Sequence, residues 1–133
     1  LQQVEILIII INILNSMKPV VLSGTTFHAW LRSPPRYSVL MIKSDECIPC
    51  GRVLPIFEKY ATTWSKEYDV QFGTYTINWK DKDFVHNTLC VKATPSFQVY
   101  DGESKVYSLT SATRIGELKN FLLENIPFKE LDM

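Results

Sequence analysis

The sequence predicts an α/β fold, a central mixed β-sheet with helices on both faces. Three observations point there. Strand-like runs alternate with stretches of helical periodicity through residues 18–126. Residues 37–42 (YSVLMI) are apolar almost throughout, as a strand covered on both faces must be. Near the C-terminal end, two strand-like runs flank Asp101-Gly102, a hairpin signal that makes one sheet edge antiparallel.

The elements follow in order. Residues 19–23 (PVVLS) form a short β-branched strand. A helix follows, with Thr25 or Thr26 as N-cap and Phe27, Trp30 and Leu31 at helical spacing; Pro34 and Pro35 end it. After the strand at 37–42, Val53, Phe57, Tyr60, Ala61 and Trp64 share one helix face. Pro55 lies within that helix and is expected to kink it, since it brings no amide donor and crowds the preceding turn. Residues 70–78 (VQFGTYTIN) alternate as a strand, and residues 81–91 form a short helix. The hairpin spans residues 96–109, and a closing helix spans 113–126 with Ile115, Leu118, Phe121 and Leu122 on one face. In this β-α-β-α-β-α-β-β-α order, the βαβ units imply parallel pairing and the hairpin an antiparallel edge.

A chain of 133 residues is long enough for one domain with a full core. Lys plus Arg and Asp plus Glu balance at 14 each, so no basic surface favours nucleic acid or a polybasic membrane contact. Three cysteines form a poor disulfide framework: Cys47 and Cys50 are a pair, and Cys90, standing alone, is expected to be a small buried hydrophobe. Residues 6–14 (ILIIIINIL) are the compositional outlier. They fall short of the roughly 18–20 residues that span a bilayer. Their length suits the apolar stretch of a signal peptide, yet no Lys or Arg precedes them and Asn15-Ser16-Met17 is a weak cleavage site. The run could also be an extension upstream of a domain that begins near Met17, or an element packed on the domain. Residues 1–17 are therefore set apart as a hydrophobic extension, a signal or anchor remnant, from a domain at 18–130.

The stretch KSDECIPCGRVLPIFEKYA (residues 43–61) carries the chemistry. Cys-x-x-Cys serves as a redox dithiol, as half of a zinc site, or as a structural disulfide. For the dithiol, Cys47 lies at a strand-to-helix junction, where free backbone amides and the helix dipole stabilise a thiolate. Cys50 follows one turn later, placed to attack a mixed disulfide at Cys47, and Pro49 stiffens the backbone between them. For zinc, His86 and Cys90 are the further ligand candidates, but about 36 residues separate the two pairs, long for a zinc finger or ribbon. His86 also reads as a surface histidine, and His28 is the other histidine of the chain. A structural disulfide closing so short a loop constrains the unfolded chain little.

Residues 18–126 resemble the thioredoxin family. The features that carry the resemblance recur in order: the buried strand VLMI, Cys47-Ile48-Pro49-Cys50, Pro55 five residues after the second cysteine, Thr94-Pro95-Ser96 within VKATPSFQVYDGE, and the Asp101-Gly102 hairpin. The resemblance implies a thioredoxin fold and a thiol–disulfide oxidoreductase. It assigns Cys47 as nucleophile, Cys50 as resolving thiol, and Ile48, Pro49, Thr94 and Pro95 to substrate binding. A cis bond before Pro95 is implied, which sets the Thr94 backbone beside Cys47 for pairing with an extended substrate and keeps metal from the thiols. No metal or cofactor beyond the Cys47–Cys50 disulfide is expected. The implied partners are protein disulfides and an upstream reductase or oxidant, with no nucleic acid, and a membrane only if residues 6–14 anchor the chain.

The departures bear on partners and proton transfer. Glu46 stands where the family has a tryptophan, Ile48 where it has glycine, and Met41 where it has a buried aspartate that helps move the second cysteine's proton; Lys43 is too close to the motif to take its place. Asp45 and Glu46 disfavour a neighbouring thiolate by charge, so Cys47 is expected to be less acidic than in Trp-Cys-Gly-Pro-Cys proteins. A reductant of a thiol-keeping compartment is expected to be cytoplasmic; a secretory oxidant or isomerase follows if residues 1–16 are a signal or anchor. A non-enzymatic binding module of the same fold is the alternative of a different class, against which stands the presence of both cysteines and Pro49.

Overall fold

The computed structural model describes residues 2–16 and 18–129. Met17, the last residue of the expected extension, and Glu130, the expected domain end, lie outside the described residues. The chain runs α1 (Gln3–Ser16), β1 (Val20–Leu22), α2 (Phe27–Arg32), β2 (Tyr37–Lys43), α3 (Ile48–Glu67), β3 (Val70–Thr76), β4 (Ser96–Asp101), β5 (Ser104–Thr110) and α4 (Ile115–Asn125). The five strands form one mixed sheet in the order β1-β3-β2-β4-β5. β3 pairs in parallel with β1 and β2, while β4 runs antiparallel to both β2 and β5. The parallel half follows from the two helical crossovers, and the antiparallel half from the hairpin, whose turn needs Gly102 at φ +61.

Alternation along the central strands divides the core into two layers. Val39 and Met41 of β2, Phe72 of β3, and Phe97 and Val99 of β4 face α3 and α4, meeting Val53, Phe57, Ala61, Trp64, Leu118 and Leu122. Leu40, Ile42, Tyr75 and Tyr100 face the other way and meet Phe27, Trp30 and Leu31 of α2 with Val85, Leu89 and Val91. Burial on both faces explains why residues 38–42 are fully enclosed. Gly73 in β3 permits a close approach: a Cβ there would lie 2.7 Å from Leu22 Cδ1 and 2.9 Å from the Trp30 ring.

Several expectations change in detail. Thr26 does occupy the N-cap of α2, but its hydroxyl caps nothing; it accepts the Ser23 N–H at 2.9 Å instead. β3 ends at Thr76, two residues early, although Ile77 N–H still reaches the Lys43 carbonyl at 2.8 Å. The short helix at 81–91 resolves into a 3-10 turn (Trp79–Asp81) and a π-helical turn (Phe84–Leu89). The closing helix is preceded by a 3-10 turn, Ala112–Arg114.

Cys90 is exposed, against the expectation of burial. Val85 and Leu89 take the inward positions of the π turn, and Cys90 stops it in the left-handed conformation at φ 56. Its N–H bonds Val85 five residues back, while the Leu89 carbonyl turns inward to accept Gln98 Nε2 at 2.6 Å. His86 is exposed, in keeping with its reading as a surface residue. Winding with i→i+5 bonds also undoes the shared face that a spacing of four would give His86 and Cys90 in an α-helix. Among the described residues, no group of three or more His, Cys, Asp or Glu side chains is placed to share a metal ion.

Residues 3–10 of α1 are exposed, so that part of the apolar run is not packed on the domain.

Candidate active site

The site is built where β2 ends. Lys43 leaves the sheet, and the Cys47 N–H donates to the Ser44 carbonyl at 3.1 Å, closing a turn that carries Asp45 and Glu46 outward. Cys47 then caps α3. Its backbone is extended (φ -86, ψ 102), and its Sγ accepts the Cys50 N–H at 3.2 Å. Pro49 in the first turn is free of penalty, because the amide it lacks would find no helical partner there. The helix continues through Pro55 as one element to Glu67, with the Gly51 carbonyl deprived of its usual donor.

Cys47 and Cys50 are joined by a disulfide, with Cα atoms 5.2 Å apart. The two sulfurs are not equivalent. Cys47 is half-buried at the rim, whereas Cys50 packs in the core layer beneath it at 2% exposure. Only Cys47 is open to a macromolecular disulfide; Cys50 is reachable from Cys47. Ile48, 71% exposed, stands as an apolar knob beside the pair.

Two hollows flank the disulfide. One, of about 480 Å³, is lined by Pro49, Arg52, Val53, Ile56, Thr94, Pro95 and residues 110–113. The Thr94-Pro95 bond is cis, as the resemblance implied. The Ser111 N–H donates to the Pro95 carbonyl at 3.0 Å and so joins the β5–α4 connection to this groove. Ser111 holds φ 108, a region that side-chain-bearing residues avoid. Arg32, Arg36 and Arg114 each pair with a carboxylate; Arg52 has no carboxylate partner among the described residues. The second hollow, about 410 Å³, lies against Ser44, Asp45, Glu46, Ile77, Asn78, Lys82 and His86. The dithiol thus sits between a largely apolar groove and a charged one.

Ile48, Pro49, Thr94 and Pro95 are brought to the disulfide from two separate parts of the chain, and Asp45 and Glu46 border it. Met41 lies directly beneath the sheet end, fully buried and opposite Thr74 of β3, so no carboxylate occupies that position. Arg52, Ile56 and Ser111 were not picked out from the sequence. Arg52 and Ile56 follow Pro49 at spacings of three and four, a helical stripe that was legible in principle. Ser111 had no local signal, since its place depends on the β4–β5 register that sets Ser96 against Thr110.

The sequence of residues 18–124 matches the family model described as Thioredoxin. No curated protein matches the chain. Among solved structures, thioredoxin f2 of Chlamydomonas reinhardtii superposes with a TM-score of 0.70 at 23% identity, covering 80% of this chain and 96% of that one. Spinach chloroplast thioredoxin f (short form) gives 0.71 at 23% identity, over 81% and 94%. A thioredoxin f2 in complex with ferredoxin:thioredoxin reductase gives 0.72 at 16% identity, over 82% and 96%. Likeness at these identities speaks for the fold, and the family model speaks for the ancestry. With its half-buried and buried cysteines joined at the head of α3, the chain belongs to the thioredoxin family and is a thiol–disulfide oxidoreductase.

Proposed function

We propose that the chain reduces disulfides in proteins, with Cys47 as the attacking thiol and Cys50 as the resolving one. The observation that carries this reading is the placement of Cys47 Sγ at the N-cap of α3, where it accepts the Cys50 N–H, above a buried Cys50. In the reduced protein, the Cys47 thiolate attacks one sulfur of the substrate disulfide and expels the other as a thiolate. The Cys50 thiol loses its proton and attacks Cys47 Sγ, expelling the second substrate sulfur and closing the Cys47–Cys50 bond. Two electrons pass from the dithiol to the substrate.

An extended substrate segment lies along the groove at Pro49, Ile56 and Pro95, pairing with the Thr94 backbone, while Ile48 packs on its apolar side. Asp45 and Glu46 raise the cost of the thiolate and bias the neighbouring hollow against acidic segments. With Met41 below, the Cys50 proton leaves to water or to the departing substrate thiolate. The enzyme needs no cofactor beyond its own dithiol. An upstream reductase regenerates it, a reading supported in kind by the thioredoxin f2 that is seen with ferredoxin:thioredoxin reductase. This direction of electron flow belongs to a thiol-keeping compartment such as the cytoplasm.

Insulin reduction, followed by turbidity with dithiothreitol as electron source, tests the reading. The wild-type chain accelerates the reaction; Cys47→Ser and Cys50→Ser reduce it to background. Equal rates in all three proteins would refute the assignment, and a reduction potential far more oxidising than cytosolic couples would reverse the direction.

A further inference from the structure

We infer that α1 is a lipid-binding segment that lies in the interface of one bilayer leaflet and tethers the redox domain to a membrane surface. In the described part of the helix, the apolar side chains are exposed without exception: Val4 at 65%, Ile6 at 43%, Leu7 at 56%, Ile8 at 52%, Ile9 at 49% and Ile10 at 46%. Residues 6–10 are consecutive, and each step turns about 100° around a helix of 3.6 residues per turn, so they cover the circumference except the sector that holds Glu5. In the sequence the run goes on through Leu14 with Asn12 as its one interruption.

This distribution selects the occupant. A helix that docks in a protein groove carries an apolar stripe and a polar back. A helix that pairs with a second copy needs apolar residues at two positions in seven and polar ones elsewhere. α1 has only a narrow polar seam, formed by the positions of Glu5, Asn12 and Ser16 at spacings of seven and four, far thinner than the polar back of a docked helix. An interface that takes up a wide apolar arc and leaves a thin seam at the headgroups satisfies it, and a bilayer surface is such an interface.

Length and ends decide how it sits. The nine-residue run measures about 14 Å along the helix axis, against roughly 30 Å of hydrocarbon in a bilayer. No helix among the described residues is long and apolar enough to cross a membrane. Gln2, Gln3 and Glu5 bound the run on one side, and exposed Lys18 follows it on the other. With polar groups at both ends, the helix lies along the interface, its apolar arc sunk about 5–10 Å into the headgroup–acyl boundary. None of the described side chains of α1 lines either hollow beside the disulfide, so this part of the tether leaves the site open.

The test is flotation of the full 133-residue chain with phosphatidylcholine vesicles on a density gradient, beside the double variant Ile8→Asp, Ile9→Asp. The wild-type chain is expected to float with the vesicles at least tenfold more than the variant, and to do so equally at low and high salt, since the contact is apolar. Both proteins are expected to reduce insulin at the same rate, which separates this inference from the dithiol assignment. A wild-type chain that stays at the bottom of the gradient, floats no better than the variant, or forms discrete dimers that ignore vesicles would overturn it; the last outcome would assign α1 to a second copy.

Discussion

The backbone N–H of Cys50 points at Cys47 Sγ across 3.2 Å, and the same N–H lies 3.1 Å from the Cys47 carbonyl. The donor that starts α3 is therefore shared between the helix and the sulfur. In the reduced protein that donor favours a thiolate over a thiol at Cys47, and the helix dipole acts in the same sense. Two exposed carboxylates immediately before it act in the opposite sense. Replacing both acids (Asp45→Asn, Glu46→Gln) is expected to favour the Cys47 thiolate, most clearly at low ionic strength, where the Debye length is long. The pH dependence of alkylation rate reads the effect: an unchanged midpoint in the double variant would mean that the carboxylates are screened out, and a higher one would contradict the repulsion.

Ser111 should be a stability deficit kept at the groove wall. At φ 108 and ψ 131 a residue with a Cβ is strained, typically by 1–3 kcal/mol. Ser111→Gly relieves the strain but frees the unfolded chain, which returns about 0.4–1 kcal/mol. The expected net gain is about 1 kcal/mol, seen as a higher midpoint in urea unfolding. A loss of stability would show that the Ser111 hydroxyl, which accepts the Thr113 N–H, outweighs the backbone.

Gly73→Ala tests the sheet under α2. The new methyl would meet Leu22 Cδ1 at 2.7 Å and Trp30 at 2.9 Å, contacts closer than carbon atoms tolerate. Overpacking of this kind costs about 1–3 kcal/mol. Thermal unfolding is expected at lower temperature, with activity at the remote dithiol retained below the transition.

Tyr75 and Tyr100 set an alkaline limit on the fold. Both phenols titrate above their ordinary value. Burial is the main cause for each, followed for Tyr75 by its 2.6 Å hydrogen bond to Asp81 Oδ2 and for Tyr100 by the neighbouring Cys90. The neutral phenol is the form the fold prefers. The stability it contributes is complete below the unfolded tyrosine value of about 10 and is lost as pH rises past it. Tyrosinate absorbance should show a late fraction that appears together with loss of circular dichroism. Full ionisation of all six tyrosines in the folded protein would contradict this.

The fold was legible because β2 is apolar on both faces and because the hairpin and the long amphipathic face of α3 each signal their own geometry. What the sequence concealed was local winding. Cys90, standing alone, reads as a small buried hydrophobe, whereas an i→i+5 turn with Val85 and Leu89 inward leaves it in solvent. At the site, the cysteines, Pro49 and the segment at Pro95 carry marks in the sequence. The groove that joins them does not, because Ser111 reaches Pro95 only through strand register.

The most direct test of the central claim is trapping of the mixed disulfide in a Cys90→Ser background, which removes the exposed third thiol. Cys50→Ser, incubated with a protein disulfide, is expected to form a stable covalent adduct, with mass spectrometry placing the substrate on Cys47; Cys47→Ser is expected to form almost none. Adducts of equal yield in the two variants, or one carried by Cys50, would contradict the assignment of Cys47 as the attacking sulfur.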